Sequence, residues 1–171
     1  SILVRATYQT RFFEDRFIKI GLPYKIIGGT KFYERLEVRD AMAYFRIVAS
    51  SFDDLAFERI INIPKRGLGA KSMQDIETNA RANNISLLES CSILLENGKF
   101  NTKTSANVRK FLEALKIWKL KSKELTSSEL AEIILEESGY VEMWQNDRSL
   151  EADGRLENLK ELVGAVSEFD N

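Results

Sequence analysis

The stretch that decides the fold is a short turn between two helical patterns, and it reads PKRGLGAKS over residues 64–72. Gly67 and Gly69 flank one apolar residue, Leu68, so the backbone can adopt positive φ angles while the leucine points back into a helix pair. The N–H groups that open the next helix then face outward, where they can bind a phosphate oxygen. Charge and further donors around that point come from Lys65, Arg66, Lys71 and Ser72. The turn therefore predicts a helix-hairpin-helix type of clamp that contacts only the backbone of a nucleic acid.

Two other interpretations of this hairpin (residues 64–72) are a plain turn and a nucleotide P-loop. A plain turn between helices would also use glycines for its geometry, and the local sequence favours neither this interpretation nor the clamp. A P-loop follows a strand and places Gly directly before Lys-Ser/Thr. Here Ala70 precedes Lys71, and a helical pattern precedes the turn. ATP binding at the hairpin is therefore excluded.

Helical patterns continue on both sides of the hairpin, from residue 34 to the end of the chain. Before it, one predicted stripe consists of Val38, Met42, Phe45 and Ala49, with Ala41, Tyr44 and Val48 beside it. After it, the stripe of a long helix consists of Val108, Phe111, Leu112, Leu115 and Trp118. Residues suited to helix starts are Asp53, Ser86, Ser127 or Ser128, and Ser149. These patterns predict an all-helical body.

The first thirty residues have a different pattern. β-Branched runs at residues 2–4 and 24–27 predict two strands, and the apolar residues between them recur at helical spacing until Gly21 and Pro23. A strand–helix–strand unit is the usual way to make parallel strands. We therefore expect a mainly α protein whose helical body follows a short strand–helix–strand piece of an α/β subdomain. Because Ser1 opens the chain inside a strand-like run, we also expect a fragment of a longer protein.

The composition limits the chemistry that the chain can perform. It has 171 residues, 44% of them hydrophobic, with one Cys and no His. The absence of His excludes Ser-His and Cys-His nucleophile pairs and every His-ligated zinc site. Glu34 and Glu37 lie one helical turn apart, but no further ligands accompany them, so we expect no metal site. Cys91 lies among leucines and is predicted to be a buried, unreactive thiol, while Trp118 and Trp144 are predicted to be core or edge residues.

The net charge of −1 hides a strong segregation along the chain. Residues 99–123 carry eight basic residues against Glu113 alone, whereas residues 124–171 carry thirteen acidic residues against three basic ones. Such asymmetry predicts either a basic surface for a polyanion or two lobes that attract each other. For residues 99–123 taken alone, the solvated face of a long helix is the favoured interpretation. No apolar run approaches the roughly 18 residues that a membrane helix needs.

Four stretches, taken in order, carry a resemblance to a known family. LVRATYQTR (residues 3–11) is similar to LYRTNAQSR, GGTKFYERLEVRDA (28–41) to GGxRFFERxEIKDA, AFERIINIPKRGLG (56–69) to AFERIVNTPxRGIG, and RLENLKEL (155–162) to RxENLxEL. These are motifs of the UvrD/PcrA/Rep family of superfamily 1 DNA helicases. Because the matches keep the right order over almost the whole chain, their combination is far more specific than any one of them.

The resemblance implies a place for this chain in a longer enzyme. Residues 1–30 resemble part of the second RecA-like motor subdomain, 2A, and residues 31–171 resemble the inserted helical subdomain 2B, truncated before the chain returns to 2A. In the family, the Gly-x-Gly hairpin of 2B contacts the backbone of duplex DNA. Carried onto this chain, the contact residues are Lys65, Arg66, Gly67, Leu68, Gly69, Lys71 and Ser72. A face toward single-stranded DNA and the motor cleft is implied for Arg5, Thr7, Gln9 and Arg11. Independently of the resemblance, the paired glycines Gly28 and Gly29 at the junction predict a hinge, with a plain turn as the alternative.

The leading hypothesis is a DNA-binding, regulatory piece of an ATP-dependent 3′-to-5′ DNA helicase that acts in DNA repair or replication restart. Its expected partners are duplex DNA or a junction of single and double strands, the rest of the helicase chain, and repair proteins. The alternative is a protein-interaction and autoinhibition module of the same helicase, or a piece of a related recombination helicase-nuclease.

The same resemblance sets expectations for cofactors and location. ATP and Mg²⁺ are expected in the longer protein, but this chain lacks the P-loop that would hold them. We therefore expect no cofactor and no ATPase activity in this chain alone. The longer protein is expected in the cytoplasm of a bacterial-type cell, associated with the nucleoid, and not in a membrane.

Overall fold

The computed structural model describes residues 2–5, 9–26 and 31–170. Over these ranges the chain forms nine α-helices and one 3₁₀ turn, Phe32–Glu34. In chain order the helices are α1 (Thr10–Lys19), α2 (Leu36–Ala49), α3 (Asp54–Ile60), α4 (Ala70–Asn83), α5 (Leu87–Glu96), α6 (Thr102–Lys121), α7 (Ser127–Glu137), α8 (Tyr140–Gln145) and α9 (Ala152–Ser167). The prediction of a mainly helical protein is confirmed.

The predicted strand–helix–strand unit is wrong for the residues that the structure describes. Its helix is present as α1, which ends before Gly21 at φ +67°. Residues 2–4 and 24–26, however, are not in β-structure, and residue 27 lies outside the described ranges. β-Branched residues fit a pleated surface, but a strand forms only where another strand pairs with its backbone. No such partner exists in the described ranges, so the β-propensity of these runs is not expressed.

The core forms around Tyr44, near the middle of α2. Its ring lies 6.3 Å from that of Phe111 and 6.4 Å from that of Trp118, both edge to face, and 5.9 Å from that of Tyr140. All four side chains are buried. The predicted stripe of α6 is buried along its whole length, which confirms it. Helices α2, α6 and α8 therefore share one hydrophobic core.

The buried face of α2 is displaced around the helix from the predicted stripe. Val38 is buried as predicted, but Met42 and Ala49 are exposed and Phe45 is only half-buried. The apolar residues of α2 that fill the core beyond Val38 are Ala41, Ala43, Tyr44, Ile47 and Val48. Since both candidate faces of α2 carry apolar residues, periodicity alone does not choose between them.

Two of the four predicted helix starts are confirmed by their caps. The Asp53 carboxylate accepts the N–H of Ala56 to open α3, and the Ser86 hydroxyl accepts the N–H of Glu89 to open α5. Helix α7 begins at Ser127, as predicted, but its cap is Thr126 in a capping box. Helix α9 begins three residues after Ser149.

Helix α1 is attached to the helical body by buried polar contacts. Glu14, only 2% exposed, accepts hydrogen bonds from the Thr10 hydroxyl at 2.7 Å and from the N–H of Phe32 at 3.1 Å. Arg35 donates to the Thr10 hydroxyl at 2.9 Å and to Asn158 Oδ1 of α9 at 2.7 Å. Two motifs that are distant in sequence, around Arg35 and Asn158, thus meet in one polar layer. The division of the chain at residues 30 and 31 stays a prediction.

Candidate nucleic-acid interface

The hairpin requires glycine at one of its two glycine positions. Gly67 has a φ of +90°, and a Cβ there would lie 2.7 Å from Thr104 Oγ1. Leu68 is 4% exposed and points into the core, as predicted. Gly69 has a φ of −89° and a ψ of 176°, which other residues adopt, and a Cβ there would meet nothing within 4 Å. The positive φ angle predicted for Gly69 is therefore not observed.

Gly69 is the N-cap of α4, and the first turn of this helix is open to a ligand. The first backbone bond across the cap runs from the N–H of Met73 to the Gly69 carbonyl, at 3.1 Å. The N–H groups of residues 70–72 have no acceptor in the described part of the chain. The turn contains no acidic residue, Lys71 is exposed and Ser72 is half-buried. Free donors and the positive end of the helix dipole together suit an anion such as a phosphate.

Arg66 lies beneath the hairpin instead of facing the solvent, which corrects its place among the predicted phosphate ligands. Its side chain is buried, with the residue 7% exposed. One guanidinium nitrogen donates to main-chain carbonyls, the shortest contact being 2.8 Å to Ile60, and the other donates to the Tyr44 hydroxyl at 2.8 Å. The guanidinium carbon also lies 4.2 Å from the ring centroid of Phe111. The planar fork of donors thus fixes the turn from inside.

Three polar side chains that the sequence analysis did not single out also hold the hairpin in place. Asn62 accepts the N–H of Arg66 at 2.8 Å and donates to the Leu68 carbonyl at 2.8 Å, so it spans the turn. Thr104 donates to the Gly67 carbonyl at 3.1 Å, and Asn107 contacts the Arg66 carbonyl at 3.4 Å. Asn62 lies in the family motif at residues 56–69, so the resemblance could have indicated it. Nothing in the local sequence indicates the two α6 residues.

These contacts join the hairpin to the basic helix α6. Lys103 and Lys110 are exposed, and they flank Asn107 along this helix. A cleft of about 530 Å³ between the hairpin, α6, α7 and α8 is lined by Lys65 and Lys110 and also by three carboxylates, those of Glu136, Glu137 and Glu142. In the described ranges none of the exposed lysines of this surface (Lys65, Lys71, Lys103 and Lys110) forms an ion pair. The two basic features predicted separately therefore form one surface, called here the hairpin–α6 surface.

The far end of α6 is held by contacts of a different kind. Trp118 Nε1 donates to the Glu137 carboxylate at 2.6 Å, and Lys121 pairs with the same carboxylate at 3.0 Å. The hydrogen bond from Trp118, followed by the charge of Lys121, holds the pKa of Glu137 below its usual value. Trp118 is fully buried and Trp144 nearly so, which confirms both as core or edge residues.

The residues predicted to face the motor cleft lie in several environments. Arg5 and Gln9 are exposed, and the Arg5 N–H donates to Gln9 Oε1 at 3.0 Å. Thr7 lies outside the described residues. Arg11 is 5% exposed and binds Asp15, Glu161 and Glu168. Burial alone would lower the pKa of Arg11, but the hydrogen bond to Glu161 and the neighbouring carboxylates raise it.

Three further predictions concern a hinge, a metal site and a buried thiol. Gly28 and Gly29, the predicted hinge, lie outside the described residues. Glu37 is buried and accepts a hydrogen bond from Asn158, and no group of three or more potential metal ligands occurs in the described part of the chain. Cys91 is fully buried, which confirms its predicted burial, and burial raises the pKa of its thiol to about 12.

The described helices and the hairpin define a helical domain that contains a helix-hairpin-helix type of turn. The sequence matches the UvrD-like helicase C-terminal domain over residues 1–171. The chain therefore belongs to the UvrD-like helicase C-terminal domain family. Among the described helices none is long and apolar enough to cross a membrane.

Similar proteins carry helicase names. The chain is 44% identical over 171 residues to DNA helicase II of Rickettsia typhi, an alignment that covers 100% of this chain and 26% of the relative. It is 36% identical over 170 residues to the ATP-dependent DNA helicase PcrA of Staphylococcus epidermidis, covering 99% and 23% respectively. The resemblance found in the four motifs is thus confirmed. The chain spans about a quarter of the length of these relatives.

Proposed function

We propose that this chain is the duplex-binding helical part of a UvrD-type DNA helicase and that it holds the phosphate backbone on the hairpin–α6 surface. The observation that carries the proposal is the open first turn of α4 above a rigid hairpin. Its free N–H groups, at residues 70–72, stand beside the exposed side chain of Lys71. Such a site recognises phosphate and not base sequence, as a helicase that moves along DNA requires.

The rigidity of the hairpin supports this role because a preorganised site loses less entropy when it binds. Arg66 binds the carbonyls from inside, Asn62 spans the turn, and Thr104 attaches it to α6. Among the predicted contact residues, Arg66 and Leu68 therefore support the turn. Direct contact is left to Lys65, Lys71, Ser72 and the backbone beside Gly67 and Gly69.

Helix α6 extends the same surface beyond the hairpin. Lys103 and Lys110 point away from the buried stripe and have no carboxylate partner among the described residues. We propose that, when one phosphate is held at the start of α4, neighbouring phosphates of the duplex contact these long side chains. We assign them supporting contacts, which add attraction that weakens as salt rises.

The rest of the proposal concerns the longer protein. Relatives named DNA helicase II and PcrA are about four times as long as this chain. We propose that the longer protein is an ATP-dependent 3′-to-5′ helicase of DNA repair or replication restart, acting in the cytoplasm on the nucleoid. ATP and Mg²⁺ would bind outside this chain, and no step of hydrolysis is assigned to its residues.

The test is duplex binding by the 171-residue chain, measured by fluorescence anisotropy with a labelled hairpin duplex at low salt. We expect a dissociation constant on the order of 10⁻⁴ to 10⁻⁶ M, as for other non-specific contacts. Lys65→Ala/Lys71→Ala should weaken binding at least about threefold and reduce the salt slope of the binding constant by about 2. Circular dichroism should show unchanged helix content.

The matched control is Lys25→Ala/Lys160→Ala, which removes the same charge from two exposed residues outside the surface. It should bind the duplex nearly as well as the natural chain. Equal loss in both double variants would mean that only net charge matters. Equal retention in both would make the hairpin a structural turn, and either result overturns the proposal.

A further inference from the structure

The cleft beside the hairpin is lined by charges of both signs. On one side are Lys65 of the hairpin and Lys110 of α6, which belong to the hairpin–α6 surface. On the other side, on α7 and α8, are the carboxylates of Glu136, Glu137 and Glu142. In the described part of the chain, neither lysine lies within ion-pair distance of these carboxylates. The basic surface therefore ends at an acidic side of the same cleft.

The three carboxylates differ in how far their charge is compensated. Glu137 accepts a hydrogen bond from Trp118 at 2.6 Å and pairs with Lys121 at 3.0 Å. Glu136 and Glu142 are exposed, and neither forms an ion pair with the described residues. These two residues are called here the acidic edge. Their negative charges act on any anion that enters the cleft.

Contacts of the turn between α7 and α8 hold the acidic edge close to the hairpin. Arg66 donates to the Ser138 carbonyl at 3.5 Å, and a Cβ at Gly139 would lie 3.8 Å from Cγ of Pro64. Ser138 and Gly139 lie in the chain between the two residues of the acidic edge. The packing that builds the hairpin therefore also fixes where these two carboxylates stand beside it.

A phosphate on the hairpin–α6 surface meets different charges in different places. At the start of α4 it meets free N–H groups and the exposed Lys71, with no carboxylate in the first turn. Inside the cleft, toward α8, it meets the acidic edge. Like charges that face one another across an interface repel, and the repulsion is stronger where water is partly excluded. Specific recognition commonly combines such an attractive surface with a repulsive neighbour.

We propose that Glu136 and Glu142 are specificity-determining residues that keep the phosphate backbone of a duplex on the α4 side of the cleft. The inference rests on the proposed function and adds to it the side from which DNA is accepted. Lys65 and Lys110 contact phosphates at the rim of the cleft, and the acidic edge excludes the backbone from the α8 side. The same repulsion opposes binding, so the surface holds DNA more weakly than its lysines alone would.

The experiment compares Glu136→Gln/Glu142→Gln with the natural 171-residue chain. Binding of the labelled hairpin duplex is followed by fluorescence anisotropy. Glutamine keeps the size and polarity of each side chain and removes its charge. The salt concentration is about 0.1 M, at which the Debye length is about 10 Å, so distant charges are largely screened. The double variant should bind the duplex at least about threefold more tightly than the natural chain because a repulsion has been removed.

The matched control is Glu89→Gln/Glu151→Gln, which removes the same charge outside the lining of the cleft. Both residues are exposed, and neither forms an ion pair with the described residues. This variant should change the dissociation constant by less than about 1.5-fold, because its charges lie beyond the screening length. Circular dichroism should show the helix content of the natural chain for both double variants.

A second measurement locates the duplex on the surface. In ¹H–¹⁵N NMR titrations, the amide signals of residues 140–146 should stay unchanged in the natural chain. They should shift in Glu136→Gln/Glu142→Gln, because the backbone can then enter the cleft.

Each outcome distinguishes this inference from the proposed function. If the natural chain binds the duplex, three results overturn this inference alone: unchanged affinity of Glu136→Gln/Glu142→Gln, an equal gain in the control, or unmoved signals of residues 140–146 in that variant. Absent binding by the natural chain at low salt overturns the proposed function and this inference with it.

Discussion

Arg66 under the hairpin and Arg11 on α1 are both buried arginines, yet their surroundings differ in kind. Arg11 is bound by three carboxylates, from Asp15, Glu161 and Glu168. Arg66 is bound by uncharged groups, namely main-chain carbonyls, the Tyr44 hydroxyl and the face of Phe111. In the described part of the chain, no carboxylate lies within ion-pair distance of Arg66.

The difference shows what each arginine does beyond holding structure. The charge of Arg11 is neutralised where it lies, so this arginine attaches α1 to α9 and offers nothing to an anion. The charge of Arg66 is hydrogen-bonded but has no ion-pair partner among the described residues, and it lies inside the hairpin. Because charge is poorly screened inside a protein, Arg66 adds to the attraction that a phosphate would feel at the hairpin.

The largest expected effect is the loss of stability when Arg66 is removed. Arg66→Met leaves the carbonyls of Ile61 and Pro64 without a donor among the described residues, while the Ile60 carbonyl keeps the N–H of Ile63. We expect the free energy of unfolding to fall by on the order of 3 kcal/mol. Arg66→Lys keeps the charge but loses the planar set of donors. Its free energy of unfolding should therefore lie between that of Arg66→Met and that of the natural chain. Urea denaturation measures all three; a loss below about 1 kcal/mol for Arg66→Met would contradict this role.

The two glycines of the hairpin should respond unequally to alanine. Gly67→Ala places a Cβ at positive φ and against Thr104, so we expect a loss of about 1–2 kcal/mol. At Gly69 a Cβ would contact no neighbour and the φ angle is ordinary. Gly69→Ala should therefore change the free energy of unfolding by no more than about 0.5 kcal/mol. Thermal unfolding of both variants, with the natural chain alongside, is the measurement. Equal destabilisation would contradict the contrast, because the turn would then require glycine at both positions.

Removing Arg11 should be less damaging than removing Arg66. Arg11→Met breaks three ion pairs, but the side chains of Glu161 and Glu168 are 32% and 53% exposed and can be hydrated. We therefore expect a loss of about 1 kcal/mol, which becomes smaller as salt is added. The effect of Arg66→Met should not depend on salt in this way. Urea denaturation of both variants at two salt concentrations tests this difference. A larger loss of unfolding free energy for Arg11→Met than for Arg66→Met would contradict it.

The smallest expected effect is a dependence of stability on acid pH, caused by Glu137 at the far end of α6. The acceptors around Arg66 are uncharged and do not titrate at acid pH, whereas Glu137 does. Its pKa is lowered by Trp118 and Lys121, so the stabilisation is complete above about pH 4.3 and is lost as pH falls further. Glu137→Gln should cost less than about 1 kcal/mol at pH 7 and nothing well below pH 4. A stability difference that persists in strong acid would rule out this carboxylate as the cause.

Much of the helical body could be predicted from sequence because its signals are local. The α6 stripe follows helical spacing, and the caps at Asp53 and Ser86 need only their own first turns. The strand prediction failed for the opposite reason, because β-structure depends on a partner that local sequence does not contain. The stripe of α2 was misplaced because only packing decides between two apolar faces.

The candidate site was predictable in its backbone and less so in its side chains. Gly67 and Leu68 have local signatures, and the structure places them as expected. Arg66 looked like a phosphate ligand because its charge is visible in sequence, while the carbonyls that bind it are not. The contact of Thr104 with Gly67 joins residues 37 positions apart. No pattern within one element could indicate that the hairpin and α6 form one surface.

The central claim is that a DNA phosphate binds the open first turn of α4. Its most direct test is a two-dimensional ¹H–¹⁵N NMR titration of the 171-residue chain with a short duplex at low salt. The account predicts that the amide signals of residues 70–72 shift first and furthest, followed by those near Lys65 and Lys103. The amides of the acidic α9 should stay unchanged. Unmoved signals at residues 70–72, with the largest shifts around Arg5 and Gln9 or along α9, would contradict it.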